Sequence, residues 1–455
     1  MLLFILIALL FIFFSAQPLL LIYSFALLFI LYKLFWRANE PKVIFVGLVF
    51  FWISIVIKVL YADIVGVLYE DLSLSPQIVE TTFIALIALL VFALGVYFTS
   101  RNIEKKIEIS YTETFNYSTT KVLTLYVATS IISTILKGIL FVFPGFSQLF
   151  AALIAMKTGL LFLLIHTIYA QKKQMWVITV IVGAEIVLSF VSFFSNFKDI
   201  LISLAVVFSF YPIKLSVKQY LRNILLAAAT LYLLLIWQTI KGEYRFFLNQ
   251  GTKTQSVQVS TTDALSKIAE LAQTADPFNK DNNTVYESID RLSYIEFFSQ
   301  SMIRVPQEKP HENGALWLNN IMHVLVPRIF NPNKKAIDDS EMVNAYCIRQ
   351  VATSGQGASW SLGFVAESYI DFGIPFMFLP IFLVGCLLGW VYKLLITKSI
   401  NFVWGFSMVV PLWVYINCNG TPGTKILGRV LMYLIAFYLI RRFVMKPVDK
   451  FLKTT

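Results

Sequence analysis

The chain has 455 residues, 58% of them hydrophobic and only 14% charged, with a mean hydropathy of +0.74. Those values exclude an ordinary soluble domain, whose apolar fraction stops well short of this. The net charge of +11 does not by itself point to nucleic acid, because Lys and Arg gather in the cytoplasmic loops of polytopic membrane proteins.

The N-terminus is apolar from Leu2 and lacks a basic leader, so it reads as a membrane segment rather than a cleaved signal peptide, the Ser15-Ala16-Gln17 step notwithstanding. Apolar runs follow at 2–15, 18–36, 42–62, 78–99, 120–143, 147–170, 175–195, 199–213 and 223–241, then at 372–393, 402–418 and 424–443. That is about twelve spans in an all-α polytopic membrane protein, the first and eighth of them short. Basic connections alternate with short or acidic ones. Arg37 and Lys42, Arg101 with Lys105 and Lys106, Lys172 and Lys173, Lys214 with Lys218 and Arg222, Lys393 and Lys398, and Arg441 with Arg442, Lys446 and Lys450 all fall on one side. The positive-inside rule places both termini in the cytoplasm and the long polar connection outside the cell membrane.

Four regions result: an N-terminal bundle at 1–241, a large extracytoplasmic loop at 242–360, a C-terminal bundle at 361–445 and a cytoplasmic tail at 446–455. Within the loop, 249–262 reads as solvated chain. Periodicity then predicts amphipathic helices at 263–273 and 287–303, and a third, apolar one at 315–326 suited to the membrane surface. No internal repeat is visible, which argues against an inverted-repeat transporter.

Charges inside spans are costly and each needs a reason. Lys157 and Glu185 sit near the middle of consecutive spans, which favours a structural ion pair. Lys58, Lys137 and Arg429 fall in outer helix halves, where they either snorkel to headgroups or form a basic rim that holds a lipid phosphate. His166 reads as an interfacial residue near a helix end. The cysteines Cys347, Cys386 and Cys418 have no metal-ligand spacing; a Cys347–Cys418 bridge is open, with unpaired thiols the expectation.

The loop gathers cations. Arg245 follows the ninth span, Arg291 and Arg304 lie on or after the second loop helix, and Arg328 stands between prolines 327 and 332 with Lys334 and Lys335 after it. Forked Arg contacts and Lys point charges suit phosphate oxygens, and the alternative for each is a solvated or headgroup-anchoring charge. The segment GFVAESYIDFG then brings Gly363, Glu367, Tyr369 and Gly373 to the start of the tenth span. A carboxylate there serves either as a general base or as a partner for Arg or Lys. His311 and His323 are the loop's histidines, and without Cys or carboxylates at regular spacing no zinc site is expected. No Walker loop, dinucleotide fingerprint, HExxH or GxSxG is present.

Taken together, DRLSYIEFF, VPRIFNPNKK and GFVAESYIDFG, within a dozen spans and one large late loop, resemble the Wzy-type oligosaccharide repeat-unit polymerases of O-antigen and exopolysaccharide synthesis. Asn333 followed by two lysines departs from the Asp-Lys-Pro of that pattern. The resemblance implies a membrane glycosyltransferase acting on undecaprenyl-diphosphate-linked glycans at the outer face of the cytoplasmic membrane, with no cofactor, metal or nucleic acid. A flippase and a chain-length regulator are its implied partners. By the same resemblance Arg291, Arg328, Lys334 and Glu367 carry over as site residues, with Glu367 the base for the acceptor hydroxyl. An O-antigen ligase, another polyprenyl-phosphate-dependent glycosyltransferase and a lipid-linked glycan flippase are the competing readings.

Overall fold

The computed structural model describes residues 2–37, 42–101, 103, 116–139, 147–172, 174–191, 197–209, 216–252, 257–279, 283–326, 331, 334, 337–353, 360–415 and 420–453. Among them there is no strand, only one isolated bridge between Tyr117 and Lys453. A helix stands at every apolar run: α1 (Leu2–Phe14), α2 (Pro18–Phe35), α3 (Val43–Val65), α4 (Ile78–Ser100), α5 (Thr119–Ile139), α6 (Ser147–Gln171), α7 (Met175–Val191), α8 (Phe197–Ser209) and α9 (Val217–Leu248). The polar middle folds into α10 (Thr261–Thr274), α11 (Thr284–Leu292), α12 (Ile295–Arg304), α13 (Ala315–Leu325), α14 (Asp339–Tyr346) and α15 (Phe364–Phe372). The chain ends with α16 (Phe378–Lys398), α17 (Phe402–Tyr415), α18 (Gly423–Leu439) and, after a π turn at Ile440–Val444, α19 (Met445–Leu452).

Seven of these helices are long and apolar enough to cross a membrane: α2 to α6, α16, and α18 with its continuation. The protein is therefore an all-helical, membrane-embedded type. At about 1.5 Å per residue the 13-residue helices α1 and α8 reach only ~20 Å, short of the ~30 Å hydrocarbon layer.

Glycine sets the closest helix pair. A Cβ on Gly95 would lie 2.4 Å from the Phe382 carbonyl oxygen, and one on Gly385 would lie 2.2 Å from that of Phe92, so α4 and α16 pack backbone to backbone. Two expectations are corrected nearby. The run at 372–393 does not form one span: Gly373 ends α15, Pro375 blocks its continuation, and the span begins at Phe378. The helix predicted over 287–303 is two, α11 and α12, broken at Ser293 and Tyr294.

The loop helices sit on the bundle. Phe364, fully buried at the start of α15, meets Phe51 of α3 and Phe92 of α4 with ring centroids 6.0 and 5.8 Å away. On α12, Ser299 donates to Ser75 Oγ at 2.6 Å and accepts from Thr81 Oγ1 at 3.1 Å, tying that helix to α4. This end of the bundle, where α3 finishes and α4, α16 and α18 begin, therefore carries a folded cap with a continuous core.

The mid-span charges find partners. Lys157 Nζ bridges Glu185 at 2.7 Å, and Tyr126 donates to the same carboxylate at 2.5 Å, so α5, α6 and α7 share one ion pair as expected. His166 departs from expectation: it is 1% exposed and stacks on Phe162, an interior position rather than an interfacial one. Lys58 neither snorkels nor forms a rim. It is 1% exposed and lies 3.1 Å from Asp290 and 2.9 Å from Glu296, carboxylates from two loop helices that neutralise it inside the protein. Cys347 is a buried free thiol, its Sγ 3.3 Å from the Phe297 carbonyl, and Cys418 lies outside the described residues.

Candidate functional site

Asp290 and Arg291 are neighbours on α11 and begin two linked clusters. Asp290 accepts from Lys58 on one oxygen and from Arg349 Nη1, at 2.8 Å, on the other. Despite the cost of burial, Arg349 and Lys58 hold the Asp290 carboxyl below the usual carboxylate range. Glu296 receives Leu74 N at 2.8 Å, Gln300 Nε2 at 3.0 Å and Ser73 Oγ at 3.1 Å, and Gln300 in turn accepts Arg349 N at 2.9 Å. Two cations and two carboxylates are thus closed into one network that pins the loop to α3.

Arg349 is shared with the second cluster. Its guanidinium lies 5.6 Å from the Trp360 ring centroid, and that of Arg291 lies 5.9 Å from the same ring. One indole therefore holds two guanidinium groups in place. Arg245, at the end of α9, is close enough to Arg291 that burial and this like charge lower its pKa. Arg291 is exposed at this surface. Three of the arginines at this end of the bundle, Arg245, Arg291 and Arg349, thus form a basic group.

Glu367 heads a third cluster. Gly363 opens α15 at φ +85°, and a Cβ there would lie 3.1 Å from the Gly420 Cα, so glycine admits the close approach of the two segments. One turn on, Glu367 is 5% exposed. Its Oε2 accepts Gly423 N at 2.9 Å and Asn320 Nδ2 at 3.1 Å, and Thr424 donates to Asn320. The carboxylate thus sits at the N-terminus of α18, where the helix dipole favours a negative charge. Burial outweighs those donors and, with Asp339 and Asp371 nearby, pushes its pKa up to about 7. Asp339 in turn pairs with Lys425 of α18. Asp371, the next turn of α15, accepts Leu316 N at 3.0 Å and Trp317 N at 2.8 Å and so caps α13. One short helix thus sets two carboxylates against the ends of two others.

Other sequence candidates are drawn into the scaffold. Arg304 bonds Glu308 at 2.7 Å and the Cys347 carbonyl at 2.9 Å. Lys334 donates to the His323 and Val326 carbonyls, the latter at 2.8 Å, closing the end of α13. Tyr369 is buried, its hydroxyl 2.9 Å from the Val305 carbonyl. Arg429 is half-buried on α18, one turn beyond Lys425. Arg328 and Lys335 lie outside the described residues. Sequence reasoning missed Arg349, Trp360, Asn320 and Asp339, which stand in segments without periodicity or on faces that carry no motif. Among the described residues no group of three His, Cys, Asp or Glu is placed to hold a metal ion.

Fold and site define a helical, membrane-embedded protein with a capped, charge-rich end. Residues 42–408 match DUF8712, a domain of unknown function, and the chain belongs to that family. The match includes Lys58, Asp290, Arg349 and Glu367 and stops before α18. No curated protein and no solved structure matches the chain.

Proposed function

We propose that this protein is a bacterial polysaccharide polymerase, transferring a polyprenyl-diphosphate-linked glycan onto another lipid-linked repeat unit at the outer face of the cytoplasmic membrane. The observation that carries the reading is Glu367: a buried carboxylate with a pKa of about 7, at the same end of the bundle as the Arg291–Trp360–Arg349 group. A base is most useful when its pKa lies near the working pH.

In the proposed step the acceptor hydroxyl gives its proton to Glu367 while its oxygen bonds to the donor's anomeric carbon. The bond from that carbon to the diphosphate oxygen breaks, and the lipid diphosphate leaves with the electron pair. Its growing negative charge meets Arg291 and Arg349, with Arg245 near Arg291 and Arg328, Lys335 and Arg429 as further donors expected from the sequence. Burial of Glu367 serves the same end, since a site that excludes water avoids hydrolysing an activated donor. The donor already carries its leaving group, so the chemistry calls for no nucleotide.

The test is the glycan made by cells whose only copy carries Glu367→Gln. The reading expects single lipid-linked repeats and no polymer, with the protein still in the membrane. Polymer of normal length and yield would remove Glu367 as the base. Polymer that persists without being attached to its final acceptor would identify a ligase.

A further inference from the structure

The opposite end of the bundle holds a second charged feature that the polymerase reading does not use. An open depression of about 690 Å³ lies between the end of α16, the π turn and α19, and Lys398, Arg441, Arg442 and Lys446 line it. α18 runs 17 residues from Gly423, about 25 Å, so the π turn falls near the far face of the hydrocarbon layer from the Glu367 cluster. Lys398 ends the neighbouring span at the same level.

The acid among the depression's lining residues already has partners. Asp449 is turned to Tyr117, to Trp404 Nε1 at 3.3 Å and to Lys453 Nζ at 2.8 Å, which use up its carboxylate. Among the described residues, none of the four cations takes part in an ion pair. All four are exposed. Beside them the surface turns apolar: Tyr438 is 63% exposed and Phe443 67%, with Ile435 and Leu439 also exposed. Charge over a greasy, aromatic flank is the complement of a phospholipid, with a phosphate at the cations and acyl chains along the helix.

We propose that this depression binds the headgroup of an anionic phospholipid and anchors the α18–α19 junction to it. Free phosphate shares the charge chemistry but makes no use of the apolar flank.

The test is native mass spectrometry of the full-length protein released from nanodiscs of phosphatidylglycerol and phosphatidylcholine. Wild type is expected to retain phosphatidylglycerol over phosphatidylcholine. At roughly 1 kcal/mol for each membrane-facing cation, Arg441→Gln and Arg442→Gln should each lower that retention about fivefold. A double variant of Lys33→Gln with Arg101→Gln removes equal charge elsewhere, is expected to retain lipid as wild type does, and controls for net charge. Equal retention of the two lipids, an unchanged Arg441→Gln Arg442→Gln double variant, or equal loss in the control would overturn the proposal. Displacement of the lipid by millimolar inorganic phosphate alone would overturn it too, in favour of a simple phosphate-ion site.

Discussion

Replacing Glu367 separates two jobs that its position allows, capping α18 and accepting a proton. Glu367→Gln keeps an oxygen for Gly423 N–H and Asn320, so the cap survives, whereas Glu367→Ala leaves both buried donors unmet. Each unmet donor costs about 1–3 kcal/mol, so the alanine variant should lose several kcal/mol and the glutamine variant none for this reason. The pH dependence adds a second signature. A carboxyl moved from 4.5 in the unfolded chain to about 7 in the fold binds its proton more tightly when folded. Its contribution to stability is whole below pH 4.5 and is lost as the pH rises through 7, a change of about 3 kcal/mol at ~1.4 kcal/mol for each pH unit. Glu367→Gln has no such loss, so at pH 8 it should be more stable than wild type by up to about 3 kcal/mol, and near pH 4.5 the gap should close. Thermal unfolding of detergent-solubilised protein across that range measures it. A gap that does not change with pH would refute the burial argument, and normal polymer from the glutamine variant would refute the base.

Further outcomes follow from the neighbouring clusters. If Glu367 is the base, polymer yield in membranes should rise with pH through about 7, and Asn320→Ala, which removes a donor that lowers this pKa, should move the rise upward. Arg291→Ala removes an exposed side chain whose ring contact is Trp360, so unfolding should shift by no more than ~0.5 kcal/mol while polymer is lost; a stable variant with full polymer would contradict its phosphate role. Lys58→Met leaves the buried Glu296 without its counter-charge, while Asp290 keeps Arg349, and should cost about 3–5 kcal/mol, part of which returns when Glu296→Gln is added; an additive double variant would deny the pair. Asp371→Ala removes the α13 cap and should cost about 1–2 kcal/mol, with faster hydrogen exchange at Leu316 and Trp317; unchanged exchange would show the cap carries no load.

The apolar helices were legible because a membrane helix is written locally, as an unbroken apolar run: a helix stands wherever a run was read, and among the described residues seven, against the about twelve spans expected, meet the length and hydropathy of a span. Breaks inside such runs were harder. The Gly373–Pro375 stop was spelled out in the chain but was outweighed by the apolar residues on both sides. Glu367 was found because a carboxylate at the start of a span is conspicuous, while its partners Asn320 and Gly423 stand 47 and 56 residues away, with nothing local to pair them. Lys58 shows the same limit. Its cost in a span was plain, but the acids that meet it lie 232 and 238 residues on, and only the fold brings them there. Arg304 and Lys334 were chosen for their charge, and charge does not say whether a cation faces a ligand or closes a helix end.

The central claim, transfer between lipid-linked glycans at the Arg291–Glu367 end of the bundle, is tested most directly by the glycan profile of cells lacking the protein. The cells should be complemented with wild type or with Arg291→Ala. The account predicts that long polymer disappears, single lipid-linked repeats accumulate, wild type restores the ladder and Arg291→Ala does not. Unchanged polymer in cells without the protein would contradict it.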